Sequence, residues 1–156
     1  MKVYITILGR STWAMINAYY AVVMEKKYKP DEIYIFLEDI YQDKLPKAVR
    51  ALEIISAAFG FSPKIDVIII KEANFKEARK KAGILLRKLK DKGAEIAIDI
   101  TSGRRALVAG ALVQGVPLKV NHVFYLALAD KDIQFANRPY MMIPLHAQKL
   151  EDFMEG

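Results

Sequence analysis

Apolar residues recur along this chain in two alternating rhythms, one of strand length and one at helical spacing. Lys2–Leu8 (KVYITIL) is rich in β-branched and aromatic residues, and Thr12–Lys27 then carries apolar positions at helical intervals. Glu32–Leu37 is a short strand behind the turn signal Pro30-Asp31. Asp43–Phe59 places Leu45, Val49, Leu52, Ile55 and Phe59 on one helical stripe. Ile65–Lys71 (IDVIIIK), bounded by Pro63, is the third strand. Asn74–Lys92 is an amphipathic helix, with Asn74 placed to cap its first turn and Gly93 to stop it. Glu95–Ile100 is the fourth strand, followed by a polar loop and a helix from Arg105 to Gln114 that Gly115 and Pro117 end. Beyond it, Val120–Ala129 and Ile133–Ala136 read as strands joined by the hairpin turn Asp-Lys-Asp. A short strand at Met141–Pro144 and a small terminal helix complete the chain.

Four β-then-α repeats in succession predict an α/β fold: a Rossmann-like, doubly wound, mostly parallel sheet with helices on both faces and a C-terminal β-hairpin. The chain of 156 residues shows no linker, low-complexity tract or sequence repeat, so residues 1–156 are expected to form a single domain.

Composition narrows the chemistry. Cysteine is absent, which excludes disulfides, thiolate metal sites and a cysteine nucleophile. The two histidines, His122 and His146, leave little for imidazole-based zinc or triad chemistry and are expected to be structural. A formal charge of +6 is compatible with an anionic partner, or with nothing more than solubility. No stretch reaches the roughly 20 apolar residues a membrane span takes. The N-terminal apolar run is broken by Gly9, Arg10, Ser11 and Thr12, unlike a signal peptide. A soluble cytoplasmic protein is expected.

In an open doubly wound sheet, ligands bind beyond the carboxyl ends of the strands, where the strand order reverses. Two loops are composed for that place. The first is Gly9–Thr12 (GRST), where Gly9 permits close backbone approach and Ser11 or Thr12 can cap the first helix, whose free N–H groups attract anions. The second is Thr101–Arg105 (TSGRR), after strand four. If strands one and four are neighbours, the crevice holds Arg10, Arg104 and Arg105 with the hydroxyls of Ser11, Thr12, Thr101 and Ser102. That set suits phosphate: planar forks for oxyanions, short donors and backbone amides around Gly103. Blander roles compete. Ser11 and Thr101 alone could be caps, and Asp99 could be a buried acid paired with Arg104 or Arg105. Each arginine at a helix start opposes the helix dipole by about 0.3–1 kcal/mol, however, which invites a compensating anion. Neither loop has the G-x-G-x-x-G or G-x-x-x-x-G-K-[ST] spacing, which disfavours a dinucleotide dehydrogenase or a P-loop NTPase.

The strand-plus-LGRST segment and the later DITSGRRALVAGAL (Asp99–Leu112) resemble the CARF domain, the CRISPR-associated Rossmann fold of type III defence systems. Members of that family carry a small-residue loop with Ser or Thr after strand one. After strand four they carry Asp-hydrophobic-Thr-(Gly/Ser/Pro)-Gly-x-(Arg/Lys), which Asp99–Arg105 matches. The resemblance implies a homodimer that binds a cyclic oligoadenylate, usually the tetra-adenylate, across its two-fold axis. The first helix and the arginine-loop helix are apolar enough to supply the interface.

A CARF domain without an attached effector looks like a ring nuclease, and the sequence has no R-x-x-x-x-H, PD-x-[DE]xK or helix-turn-helix segment. Such an enzyme cleaves the messenger, without metal, to linear adenylates with 2′,3′-cyclic phosphate ends and switches off type III signalling. On that reading Ser11 and Arg105 (or Arg104) are catalytic. Gly9, Arg10, Thr12, Thr101, Ser102, Gly103 and Arg104 bind the ligand. No cofactor, metal, membrane or long nucleic acid is expected. The alternatives are a non-catalytic sensor or sponge acting through a partner chain, and a Rossmann enzyme using another nucleotide.

Overall fold

The computed structural model describes residues 1–128 and 137–155. Six strands form one sheet in the order β3-β2-β1-β4-β5-β6: β1 (Lys2–Leu8), β2 (Glu32–Glu38), β3 (Lys64–Ile70), β4 (Glu95–Asp99), β5 (His122–Leu128) and β6 (Gln148–Asp152). The first five run parallel, and β6 closes the edge antiparallel to β5. This is the expected Rossmann-like sheet with a C-terminal antiparallel pair.

The helices α1 (Thr12–Lys26), α2 (Leu45–Ala58), α3 (Phe75–Asp91) and α4 (Arg105–Gly115) cover both faces. Because β1 is buried on both sides, its residues are apolar almost without interruption. Its pleat still sorts them: Tyr4 and Leu8 join the core with α1 and α2, while Val3, Ile5 and Ile7 join the core with α3 and α4. Tyr19 of α1 meets Tyr4 edge-on with centroids 5.2 Å apart, and its hydroxyl pairs with Ser56 Oγ of α2 at 2.7 Å.

The two apolar helices differ in what they keep for themselves. α1 spends its apolar residues inside its own chain, with Met15, Ile16, Ala18, Tyr19 and Ala21–Val23 all buried. α4 buries only Leu107 and Gly115 and leaves Val113 62% exposed. The first helix is therefore occupied, and α4 carries the open apolar surface.

The C-terminal third departs most from expectation. Ile133–Ala136 lies outside the described residues. Met141–Pro144 is not a strand: Pro139 and Pro144 each lead into a short 3-10 turn, Tyr140–Met142 and Leu145–Ala147. The cause is Asn17 of α1, whose side chain donates to Arg138 O at 2.7 Å and accepts from Tyr140 N at 2.8 Å, holding this segment against the helix. The expected terminal helix is β6 instead. Gln148, Leu150 and Asp152 point inward and Lys149 and Glu151 outward, a period of two over five residues. The second helix also starts later than expected, because a 3-10 helix over Asp39–Lys44 precedes it. Among the described residues no helix is long and apolar enough to cross a membrane.

Candidate functional site

The crossover direction reverses between β1 and β4, which pair directly from Lys2 opposite Glu95 to Ile5 opposite Ile98. This places the loops Gly9–Ser11 and Ile100–Arg104 side by side at the carboxyl edge, as the sequence predicts. Ser102 joins them: its buried Oγ accepts from Gly9 N at 3.1 Å and lies 3.4 Å from Ser11 O. Glycine is required on both sides of that seam. A Cβ on Gly9 would stand 2.7 Å from Gly103 N. Gly103 itself has φ +101°, and a Cβ there would stand 2.4 Å from Ile7 Cγ2.

Beneath the seam lies Asp99, fully buried. It accepts from Thr101 Oγ1 at 2.6 Å, Thr101 N at 3.0 Å and Thr6 Oγ1 at 2.9 Å. Burial pushes its pKa up, and the hydrogen bonds from Thr101 and Thr6 oppose that rise without cancelling it. The Tyr4 hydroxyl beside it is raised well above its ordinary value, first by burial and then by the Asp99 carboxylate. The possible pairing of Asp99 with an arginine is not what forms, because hydroxyls and an amide already occupy the carboxylate. Thr101 is held in turn: its Oγ1 also accepts from Leu126 N at 3.0 Å. It orients the loop from inside.

The two adjacent arginines have separate fates. Arg104 turns toward the ends of β2 and β3, where its Nε meets Glu38 Oε1 at 2.9 Å and its Nη2 meets Glu72 Oε1 at 3.5 Å. Glu38 is 1% exposed, and its other oxygen accepts from Ala73 N at 2.8 Å. Arg104 is thus a tie between three strand ends. Arg105, the first residue of α4, is exposed, as is Arg10 on the facing loop, and neither has an ion-pair partner among the described residues.

Ser11 caps α1 by accepting from Ala14 N at 3.1 Å, so its own hydroxyl proton remains available to a ligand. Thr12 opens that helix, half-buried. The N-cap of α4 is Arg104, which makes no side-chain capping hydrogen bond. Two helix N-termini, each a positive dipole end, therefore stand at adjoining loops, and each is flanked in sequence by an exposed arginine without an ion-pair partner among the described residues, Arg10 before α1 and Arg105 at the start of α4. The arrangement favours oxyanions.

Several neighbours escaped the sequence reading. Lys44, from the 3-10 helix after β2, donates its ammonium to Arg10 O. Lys47 stands 4.8 Å over the Trp13 ring, so that indole already has a cation on one face. On the β5 side, Ser11, Asn17, Thr101, Tyr125 and Leu128 line an open cleft that continues from the cradle. Asn17 left a legible signal, a lone amide on an otherwise apolar helical stripe. Lys44 and Tyr125 left none, since their approach depends on tertiary geometry. His122 lies at the start of β5, away from the cradle, with Nδ1 2.8 Å from Asp152 Oδ2. Burial would raise the Asp152 pKa, but His122 and the amides of Met154 and Val123 outweigh it and hold the acid below its ordinary value.

No family model matches the sequence, and no curated protein matches it in sequence. Solved structures do match in fold. Can2 from Sulfobacillus thermosulfidooxidans, in complex with cyclic tetra-adenylate, superposes with TM-score 0.61 at 11% identity, covering 86% of this chain and 33% of that one. Csm6 from Enterococcus italicus, bound to cyclic hexa-2′-fluoro-hexa-dAMP, gives 0.65 at 17% identity, covering 99% and 42%. A type III CRISPR defence DNA nuclease activated by cyclic oligoadenylate gives 0.58 at 14% identity, covering 81% and 19%. The chain has the Rossmann-like fold found in these proteins and spans less than half the length of each.

Proposed function

We propose that this chain is a CARF-type domain that binds cyclic oligoadenylate, the tetra-adenylate foremost, across the two-fold axis of a homodimer and cleaves the ring without a metal. One observation carries the reading: two loops are stitched through Ser102 at the switch point, and they carry the exposed Arg10 and Arg105 and lead into the N-termini of α1 and α4. Two proteins of the same fold are described with cyclic oligoadenylate as ligand or activator and a third with a cyclic hexa-2′-fluoro-hexa-dAMP, which supports the choice of anion. The open apolar side of α4, which starts at Arg105, supports a dimer in which two cradles meet. A cyclic tetranucleotide has its own two-fold symmetry, so identical loops can hold opposite phosphates with identical contacts.

RNA supplies the nucleophile. A ribose 2′-oxygen attacks the adjacent phosphorus, the P–O5′ bond breaks, and the 2′ proton leaves to water as the 5′ oxygen gains one. The products are linear adenylates with 2′,3′-cyclic phosphate and 5′-hydroxyl ends. The protein's contribution is to align oxygen and phosphorus and to stabilise the phosphorane charge. Ser11 donates to the ribose or phosphate, Arg105 carries the transition-state charge, and Arg10, Thr12 and the amides around Gly103 seat the ring. Thr101, Ser102 and Gly9 keep the loops together, and Arg104 holds them to β2. Lys44 adds an ammonium at the edge that can furnish the leaving-group proton.

A second reading, a sensor or sponge that holds the ring intact, is favoured by the exposure of Arg105, since a solvated guanidinium orients less strictly than a buried one. The test is incubation with labelled cyclic tetra-adenylate in EDTA at elevated temperature. Cleavage by the wild type, slowed at least a hundredfold by Arg105→Ala and Ser11→Ala with smaller losses in affinity, fits the nuclease. Tight binding of a ring that stays intact would leave only the sensor, and equal turnover by either variant would remove that residue's role.

A further inference from the structure

The charge excess of this chain sits on two helices. α3 and α4 together carry eight Lys and Arg against two acids, Glu77 and Asp91, an excess equal to the +6 of the whole chain. Lys76, Arg79, Lys80 and Arg87 recur at helical spacing on the exposed side of α3, and with Gln114 of α4 they line a groove. The helices run parallel, since Gly110 faces Arg79 and Gly83 faces Gln114. Gly83 forms the floor, where a Cβ would stand 2.8 Å from Gln114 Oε1 and 3.3 Å from Arg87 Nη1.

None of the four cations has an ion-pair partner among the described residues. The acid of their own helix turn, Glu77, is held by Lys81 at 3.0 Å and by Asn74 Nδ2 at 3.1 Å. Like charges three and four residues apart weaken a helix, and Lys76 near its start also opposes the dipole. Among the described residues no acid compensates them, which leaves the line of charge open to an anionic ligand.

We propose that the α3–α4 groove binds the sugar–phosphate backbone of a single-stranded nucleic acid, independently of base sequence. Lys76 to Arg87 spans about 16 Å of helix, a line of charge suited to several consecutive phosphates of one strand. The lining cations form one line along a single helix, which matches one backbone and not the paired backbones a duplex presents across its grooves. Its lining offers guanidinium, ammonium and amide donors but no aromatic platform and no apolar anchor. A protein partner usually requires such an anchor, whereas backbone binding requires only charge. The sequence motifs lead to the expectation that no long nucleic acid binds; the placement of charge on α3 points the other way.

The experiment is anisotropy of a labelled 20-nucleotide oligouridylate titrated with the full chain between 50 and 200 mM KCl. The wild type should bind with a slope of log affinity against log salt of about −2 to −3, at about −0.7 per phosphate contacted. Arg79→Glu with Arg87→Glu should weaken binding at least tenfold at 50 mM. Lys64→Glu with Lys149→Glu, an equal change of net charge elsewhere, should alter it less than threefold. If the reversal misfolds, Arg79→Gln with Arg87→Gln should still flatten the slope by about one unit. Equal weakening by the control pair, no binding at 50 mM, or competition by polyglutamate as effective as by RNA would overturn the proposal. Cyclic tetra-adenylate binding, read separately on the same groove variants, should persist, so the fate of the cradle reading registers in a different assay.

Discussion

Gly103→Ala is the sharpest test of how the two loops are joined. The new methyl would stand 2.4 Å from Ile7 Cγ2 and 3.1 Å from Ile7 Cβ, on a backbone with φ +101°. Holding an L-residue at such a φ costs about 1–2 kcal/mol, and overpacking a filled site costs about 1–3 kcal/mol more. The sum is about 2–5 kcal/mol. For a domain of this length each kcal/mol lowers Tm by about 2–4 °C, so Tm should fall by roughly 5–15 °C. The assay is thermal unfolding at fixed protein concentration, with cyclic tetra-adenylate affinity measured well below the melt. Ile7→Ala removes the struck methyl, so in a double-mutant cycle the pair should be less destabilised than the sum by about 1–3 kcal/mol, while the φ cost remains. Strict additivity, or a Tm within 2 °C of wild type for Gly103→Ala, would refute the close contact between β1 and the arginine loop.

The other substitutions separate scaffold from ligand contacts. Arg104→Ala leaves the Glu38 carboxylate buried with only the Ala73 amide, and should cost about 2–3 kcal/mol in denaturant unfolding, discounted because Arg104 is itself partly solvated. Arg105→Ala should leave stability within about 0.5 kcal/mol and weaken cyclic tetra-adenylate at least tenfold by calorimetry, the scale of one charged hydrogen bond. Asp99 has a folded pKa above its unfolded value, so its stabilising contribution is fully present below the unfolded pKa and is lost as pH rises through the folded one. Asp99→Asn should remove that decline from the stability–pH profile, and an unchanged profile would contradict the assignment. Asn17→Ala strips the acceptor from the Tyr140 amide, costing about 1–3 kcal/mol, and should speed chymotryptic cleavage after Tyr140 several-fold in the native state.

Much of the fold was legible because strand and helix periods alternate cleanly from Lys2 to Gly115. Ser11 and Asn74 cap where a capping side chain should, and β1 beside β4 follows from doubly wound order. The limits were physical. Two neighbouring arginines look alike in sequence, yet only tertiary placement sends Arg104 to the buried Glu38 and leaves Arg105 in solvent. Asp99 suggested an ion pair because a buried acid needs partners, but Thr6, ninety-three residues away in sequence, supplies a hydroxyl no local pattern reveals. The C-terminal segment misled because Asn17 and two prolines, not propensity, set its path.

The central claim is that two cradles share one ring. Titration calorimetry with cyclic tetra-adenylate, using Ser11→Ala to keep the ligand intact, measures it directly. Two cradles sharing one ring require one ring per two chains, no heat from linear tetra-adenylate at the same concentration, and at least tenfold weaker binding when Arg105→Ala is added. One ring per chain, or equal binding of AMP and the ring, would contradict it.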